Sequence, residues 1–196
     1  MTNAVLSPEE VIATFKEAGA LLEGHFVYTS GRHGRQFLQA ARVVQYPAYA
    51  GKLCRALAGH FSGEGIELVC GPATGGIVLA YETARHLNCR AVFSEKDDGG
   101  SMAVKRGFRV DAGCRALVVE DVTTTGGSIQ KTIDHLRERG AVVAGVGVLI
   151  DRSAGAVDFD ARYVPLARLE METWDPVDCP LCEEGVRLVE PDDIVL

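Results

Sequence analysis

The sequence has no apolar run long enough to span a bilayer, so no membrane helix is expected. Its first residues, Met1–Glu10, are polar and carry acids, with neither a basic stretch nor an apolar core, so they do not read as a secretory leader. Basic charge is in deficit. The net charge of −7 argues against a general nucleic-acid or anionic-membrane binder, and no helix-turn-helix pattern precedes the core. There is no P-loop and no Gly-x-Gly-x-x-Gly fingerprint. Internal repeats and low-complexity tracts are absent as well. The cysteines lack a disulfide framework. Cys54, Cys70, Cys89 and Cys114 sit in apolar settings without regular spacing, as reduced thiols of a cytoplasmic protein do. A length of 196 residues fits one domain with a small appendage.

The chain is organised around Ala116–Ser128. Ala116-Leu117-Val118-Val119 reads as a strand buried on both faces. Glu120 and Asp121 follow, then Val122, Thr123, Thr124, Thr125, Gly126, Gly127 and Ser128, and then an amphipathic helix over Ile129–Arg139. A buried strand rarely ends in two acids without a ligand, because each is costly to desolvate unpaired. A glycine-lined turn at a helix start offers N–H groups to a phosphate, hydroxyls add donors, and carboxylates can hold ribose hydroxyls. The pattern suits a sugar phosphate.

Elsewhere, Ser7-Pro8-Glu9-Glu10 reads as a helix start, followed by an apolar stripe to Ala18. Gly24–Gln39 reads as two short strands around a Ser30-Gly31-Arg32 turn, which on its residues alone could equally be an exposed basic hairpin. A helix is expected over Ala48–Phe61. Strand Ile66–Cys70 leads through Gly71-Pro72-Ala73-Thr74-Gly75-Gly76 into helix Ile77–Leu87, an arrangement suited to a diphosphate. A strand over Ala91–Ser94 leads to a polar segment, Glu95–Ser101, with the look of a mobile surface loop. Met102–Val110 is expected to form a hairpin, Ala141–Ile150 a strand running into Asp151–Gly155, and Phe159–Leu196 short strands with irregular connections. Alternating strand and helix between Ile66 and Ile150 imply a mostly parallel sheet with helices on both faces, whose ligands bind at the carboxyl ends of the strands. The loops Gly71–Gly76, Ser94–Ser101, Glu120–Ser128 and Asp151–Gly155 all lie at such ends.

Ala116–Ser128 resembles the phosphoribosyl pyrophosphate (PRPP) motif of the type I phosphoribosyltransferases. Phe26–Arg32 followed by Phe37-Leu38 is similar to the hood of the orotate phosphoribosyltransferases, Gly71–Gly76 to their diphosphate loop, and Arg152 stands where they place an arginine near orotate. Gly75 stands where relatives often carry a lysine, and Thr29 where a lysine usually precedes the Ser-Gly-Arg turn. The catalytic loop is short, with Lys96 its one cation and Glu95 at an arginine's place.

The resemblance implies a type I phosphoribosyltransferase fold, with a core over about 46–155 and a hood from about 1–45 plus the tail, about 156–196. It implies a cytoplasmic pentosyltransferase of pyrimidine biosynthesis, with PRPP and orotate as substrates, and a homodimer in which one subunit's loop reaches its neighbour. Mg²⁺ is the implied cofactor, carried by PRPP and water without direct protein ligands. Lys96 and Asp121 would be catalytic. Glu120, Asp121, Val122, Thr123, Thr124, Thr125, Gly126, Gly127, Ser128, Thr74, Gly75 and Lys96 would bind PRPP, while Thr124, Arg152, Phe37 and Leu38 would bind orotate. Two other readings stay open: a type I enzyme acting on a purine or another pyrimidine, and an inactive PRPP-binding regulator. Competing structural roles remain for two residues, a strand-end ion pair of Arg152 with Asp151 or Asp158 and a solvated loop position for Lys96.

Cys179-Pro180-Leu181-Cys182 has zinc-ligand spacing but supplies only two ligands, and no histidine lies near in sequence. Plain thiols, a metal shared between subunits and a disulfide all remain open.

Overall fold

The structure, a computed structural model, describes residues 6–28 and 30–190. Residues 1–5 of the N-terminal segment, Thr29, and 191–196 with Pro191 lie outside the described residues. In chain order the elements are α1 (Pro8–Glu17), β1 (Leu21–Val27), β2 (His33–Leu38), α2 (Ala41–Val44), α3 (Pro47–His60), β3 (Leu68–Pro72), α4 (Gly75–Leu87), β4 (Arg90–Lys96), β5 (Met102–Val104), β6 (Arg115–Thr123), α5 (Gly127–Glu138), β7 (Val142–Asp151), β8 (Arg162–Arg168), β9 (Thr173–Trp174) and α6 (Pro180–Glu183). No helix among the described residues is long and apolar enough to cross a membrane.

Six strands form the core sheet in the order β5-β4-β3-β6-β7-β8. All neighbours are parallel except β4 and β5. The chain moves from β3 outward to β4 on one side and from β6 outward to β7 on the other. The order therefore reverses between β3 and β6, the place where such sheets open a crevice for ligands. Apolar runs on β3 and β6 bury both faces. Leu117 and Val119 face a cluster containing Phe15 of α1, Leu53 and Leu57 of α3 and Leu79 of α4. Ala116 and Val118 face Ile129, Ile133 and Leu136 of α5. Truncating one of these fully buried leucines should cost about 2–5 kcal/mol.

α1 begins as its sequence predicts. The Ser7 hydroxyl accepts the Glu10 N–H at 3.2 Å, and the Glu10 carboxylate accepts the Ser7 N–H at 2.8 Å, a reciprocal cap. Its stripe, Val11 and Phe15, is buried in the core cluster with Leu53, Leu57 and Leu117. β8 likewise extends the core sheet, alongside β7, as far as Arg168. The irregular tail therefore starts later than the proline-bearing sequence suggests. Pro165 is tolerated there because β8 is an edge strand. The hairpin expected within Met102–Val110 is absent: β5 pairs instead with the end of β4.

A separate antiparallel sheet of β1, β2 and β9 forms the hood. Its β1–β2 pairing carries a bulge between Glu23 and Phe26, where two residues of β1 face one of β2. The bulge breaks the alternation, so His25 and Phe26 are both buried. Arg32, in the turn, donates from Nε to the Thr173 hydroxyl at 2.9 Å and from Nη2 to the Thr173 carbonyl at 2.6 Å. The basic turn thus braces the C-terminal strand of the hood.

Candidate active site

The central strand carries the two acids at its end, so Glu120 and Asp121 are strand residues and not part of the following loop. Successive side chains on a strand point to opposite faces, and the acids separate accordingly. Glu120 turns toward α5, where its Oε2 accepts the Ser128 hydroxyl at 3.3 Å. Asp121 turns toward α4: a Cβ built on Gly75 would lie 2.6 Å from Asp121 Oδ2. The absence of a side chain at Gly75 is what lets the diphosphate-type turn close on the carboxylate. Val122 packs against the core cluster, and its N–H donates to Asp121 Oδ1 at 2.6 Å. It supports the site through its backbone.

Burial and the neighbouring Asp121 charge push the Glu120 carboxyl up to about 8. Burial raises Asp121 as well. Neither acid forms an ion pair with a cation among the described residues. Their only donors among the described residues are the Ser128 hydroxyl and the Asp121 N–H on Glu120 and the Val122 N–H on Asp121, which leaves carboxylate lone pairs that sugar hydroxyls and water can fill.

Gly126 opens α5 in the left-handed conformation, φ 73°. A Cβ there would also lie 2.8 Å from the Phe159 ring, so both backbone and packing require glycine. No side chain caps α5, and Thr124, Thr125, Gly127 and Ser128 are exposed around its free N–H groups. Thr123 is buried. Thr74 is exposed at the start of α4, after a cis Ala73–Thr74 peptide.

Thr123 faces Asp151 in the β6–β7 ladder, and its carbonyl accepts the Arg152 N–H at 2.8 Å. This register fixes Arg152 beside the phosphate-type loop. Its Nε is buried without a hydrogen-bond partner among the described residues, and burial pulls its pKa below the ordinary guanidinium value. The strand-end ion pair belongs to a different arginine: Arg168 Nε lies 3.5 Å from Asp151. Burial works against the Asp151 charge, but the Ser153 N–H donating to Oδ1 at 2.8 Å, with Tyr163 and Arg168 nearby, holds its pKa below the usual value.

Tyr28, in the hood, was not singled out by the sequence. Burial raises its pKa, and the Arg152 charge opposes that rise, so the two groups interact across hood and core. Phe37 is half-buried and packs on Phe26 with ring centroids 5.7 Å apart, while Leu38 lies in the core cluster. The pair point to opposite faces of β2. Leu38 therefore supports the hood from behind.

The segment expected as a mobile loop is largely a hairpin. Glu95 and Lys96 are paired with Ala103 and Met102. Asp97 Oδ1 closes the turn by accepting the Gly99 and Ser101 N–H groups at 3.0 and 2.8 Å. Lys131 of α5 donates to the Gly100 carbonyl at 2.7 Å. Arg106 grips Glu95 through two hydrogen bonds of 2.7 Å, so Glu95 is neutralised. Lys105 donates to the Lys96 carbonyl at 3.0 Å. The Lys96 side chain is exposed at the mouth of the hairpin.

Comparison with known proteins decides the family. Residues 42–181 match the phosphoribosyl transferase domain. The chain is 47% identical over 186 residues to the orotate phosphoribosyltransferase of Pelotomaculum thermopropionicum, covering 95% of this chain and 97% of that protein. It belongs to the orotate phosphoribosyltransferases of the phosphoribosyltransferase family. The protein of that name from Caldicellulosiruptor bescii is 48% identical over 187 residues, again covering 95% and 97%. The crystal structure of orotate phosphoribosyltransferase from Aeropyrum pernix superposes with a TM-score of 0.68 at 30% identity, covering 81% of this chain and 93% of that one. Adenine phosphoribosyltransferase from Rhodothermus marinus shares the fold, with a TM-score of 0.64 at 20% identity over 82% of this chain and 99% of that one. Membership accounts for the type I fold, with its mostly parallel sheet flanked by helices.

Proposed function

We propose that the chain transfers the 5-phosphoribosyl group of PRPP to N1 of orotate, giving orotidine 5′-monophosphate and diphosphate in pyrimidine (UMP) biosynthesis. Supporting this reading are the family and the half-buried Arg152 beside the PRPP-type loop, whose Nε has no hydrogen-bond partner among the described residues. A planar guanidinium fits a carboxylate in bidentate fashion, and orotate carries one where adenine, hypoxanthine and uracil do not. The decisive experiment is an assay of the purified chain with PRPP and each of these bases.

In the reaction the C1′–O bond to diphosphate breaks, the C1′–N1 bond forms, and the N1 proton leaves. Thr124, Thr125, Gly126, Gly127 and Ser128, with the start of α5, would hold the 5′-phosphate, while Thr74 and Gly75 would face the diphosphate. Glu120 and Asp121 would accept the ribose hydroxyls. Thr124, Phe37 and Arg152 would orient orotate, with Leu38 behind. Positioning the two reactants supplies much of the acceleration. Lys96 would add positive charge where diphosphate departs.

Mg²⁺ fits these residues, because Glu120 and Asp121 form no ion pair among the described residues and would hold it through substrate and water. When bound, it neutralises charge on the leaving diphosphate.

The chain would act as a homodimer. Val78 and Tyr81, neighbours on α4, are 44% and 67% exposed, an apolar face that a second copy would cover. Light scattering should give twice the chain mass at micromolar concentration. A fully active monomer would remove this part of the proposal.

A further inference from the structure

The hood contains a second cluster, well separated in sequence from the PRPP motif. His25 from the β1 bulge, His33 from the start of β2, and Cys179 and Cys182 around α6 bring four ligand atoms within 4.8 Å of one another. The histidines and Cys179 are buried, with 1%, 7% and 0% exposure, and Cys182 forms the rim.

The spacing within the cluster has the dimensions of a metal cage. His25 Nε2 lies 3.1 Å from His33 Nδ1, 3.4 Å from Cys179 Sγ and 3.8 Å from Cys182 Sγ. Cys182 Sγ lies 3.3 Å from His33 Nδ1. A tetrahedron with metal–sulfur bonds of about 2.3 Å and metal–nitrogen bonds of about 2.05 Å has N···S edges of about 3.6 Å and an N···N edge of about 3.3 Å. The far nitrogen of His25 is also committed: Nδ1 lies 2.8 Å from the Val186 carbonyl, which can only accept. Nδ1 therefore carries the proton and Nε2 presents its lone pair to the cluster. An outer hydrogen bond of this kind fixes the tautomer of a metal-ligating histidine.

We infer that His25, His33, Cys179 and Cys182 form a closed structural site for Zn²⁺. Two sulfur and two nitrogen ligands with spacings near the edges of a tetrahedron suit zinc, and all four positions are filled by protein, which leaves none for a reactive water. Binding sends the two thiol protons to solvent. Two thiolates and two neutral imidazoles then balance the ion, so the buried site is uncharged. The missing ligands of the Cys-x-x-Cys pair thus come from the other end of the chain.

The hood needs such a staple. It has three strands, of which β9 has only two residues, and small sheets have little apolar core to hold them. The ion would join the β1–β2 hairpin to the tail segment around α6 and fix the hood that carries Tyr28 and Phe37.

The test is metal analysis of untagged full-length protein after dialysis. One zinc per chain is expected. Titration of this protein with an organomercurial should release that zinc as two thiols react. Zinc-free protein should melt more than about 10 °C lower, and Co²⁺ loading should give the intense absorption of tetrahedral cobalt with thiolate charge transfer. Cys182→Ser and His25→Ala should each abolish the cobalt spectrum, and Cys89→Ser should leave it unchanged. Less than about a tenth of a zinc per chain together with no tetrahedral cobalt spectrum in wild-type protein would overturn the site. So would a mass 2 Da low from a Cys179–Cys182 disulfide.

Discussion

The Thr123 carbonyl accepts the Arg152 N–H at 2.8 Å, so one ladder bond ties the end of the central strand to the arginine of the next. The Thr/Gly/Ser loop and Arg152 are thereby held at neighbouring strand ends, and Arg152 Nε is buried without a hydrogen-bond partner among the described residues, as the proposed orotate contact requires. Arg152→Ala should lower kcat/KM for orotate by about 30–150-fold, the loss of a charge-assisted hydrogen bond worth about 2–3 kcal/mol. Arg152→Lys should recover little, because lysine lacks the fork. Steady-state kinetics with orotate varied checks this. Unchanged kinetics in Arg152→Ala would move recognition elsewhere.

Glu120 makes stability depend on pH. Its folded pKa, about 8, lies above the ordinary 4.5, so the unfolded chain loses this proton first. The contribution is complete below about 4.5 and is lost as pH rises toward about 8. Glu120→Gln should therefore raise the melting temperature of ligand-free protein at pH 8.5 by about 4–8 °C, on the order of 2 kcal/mol, and change it little at pH 4.5. Calorimetry at the two pH values measures the difference.

Asp121→Asn should leave the fold intact and weaken PRPP use. Gly75→Ala should act on the same contact, since its Cβ would lie 2.6 Å from Asp121 Oδ2. We expect about a tenfold loss in kcat/KM for PRPP, roughly 1.4 kcal/mol, with circular dichroism unchanged. Equal kinetics for the alanine variant and wild type would separate that turn from the diphosphate.

Lys96→Ala should lower turnover by about 10²–10³-fold, about 3–4 kcal/mol, with little change in PRPP affinity. Arg106 is held by Glu95 and Lys105 by the Lys96 carbonyl, so Lys105→Ala and Arg106→Ala should be milder. Single-turnover rates rank the three. A near-normal rate for Lys96→Ala beside a collapsed rate for either other variant would transfer the role.

The central strand, its acids and the Thr/Gly/Ser turn were legible because a buried run ending in charge has few structural explanations. Arg152 was legible only through order along the chain; its isolation from Asp151 depended on Arg168, which comes from a strand hidden in a proline-bearing tail. The polar, glycine-rich composition of Glu95–Ser101 marks a loop, whereas Glu95 and Lys96 pair with β5 and only Asp97–Ser101 form the turn. Asp97 caps that turn and Arg106 neutralises Glu95. The His25–His33–Cys179–Cys182 cluster could not be found by local spacing, since its halves lie about 150 residues apart and a bulge re-aims His25.

The central claim is tested most directly by incubating purified protein with PRPP, Mg²⁺ and orotate, uracil, hypoxanthine or adenine in parallel, and following nucleotide and diphosphate. Orotidine 5′-monophosphate should form with orotate alone, and its formation should stop when Mg²⁺ is chelated. Consumption of another base with orotate left untouched would contradict the account.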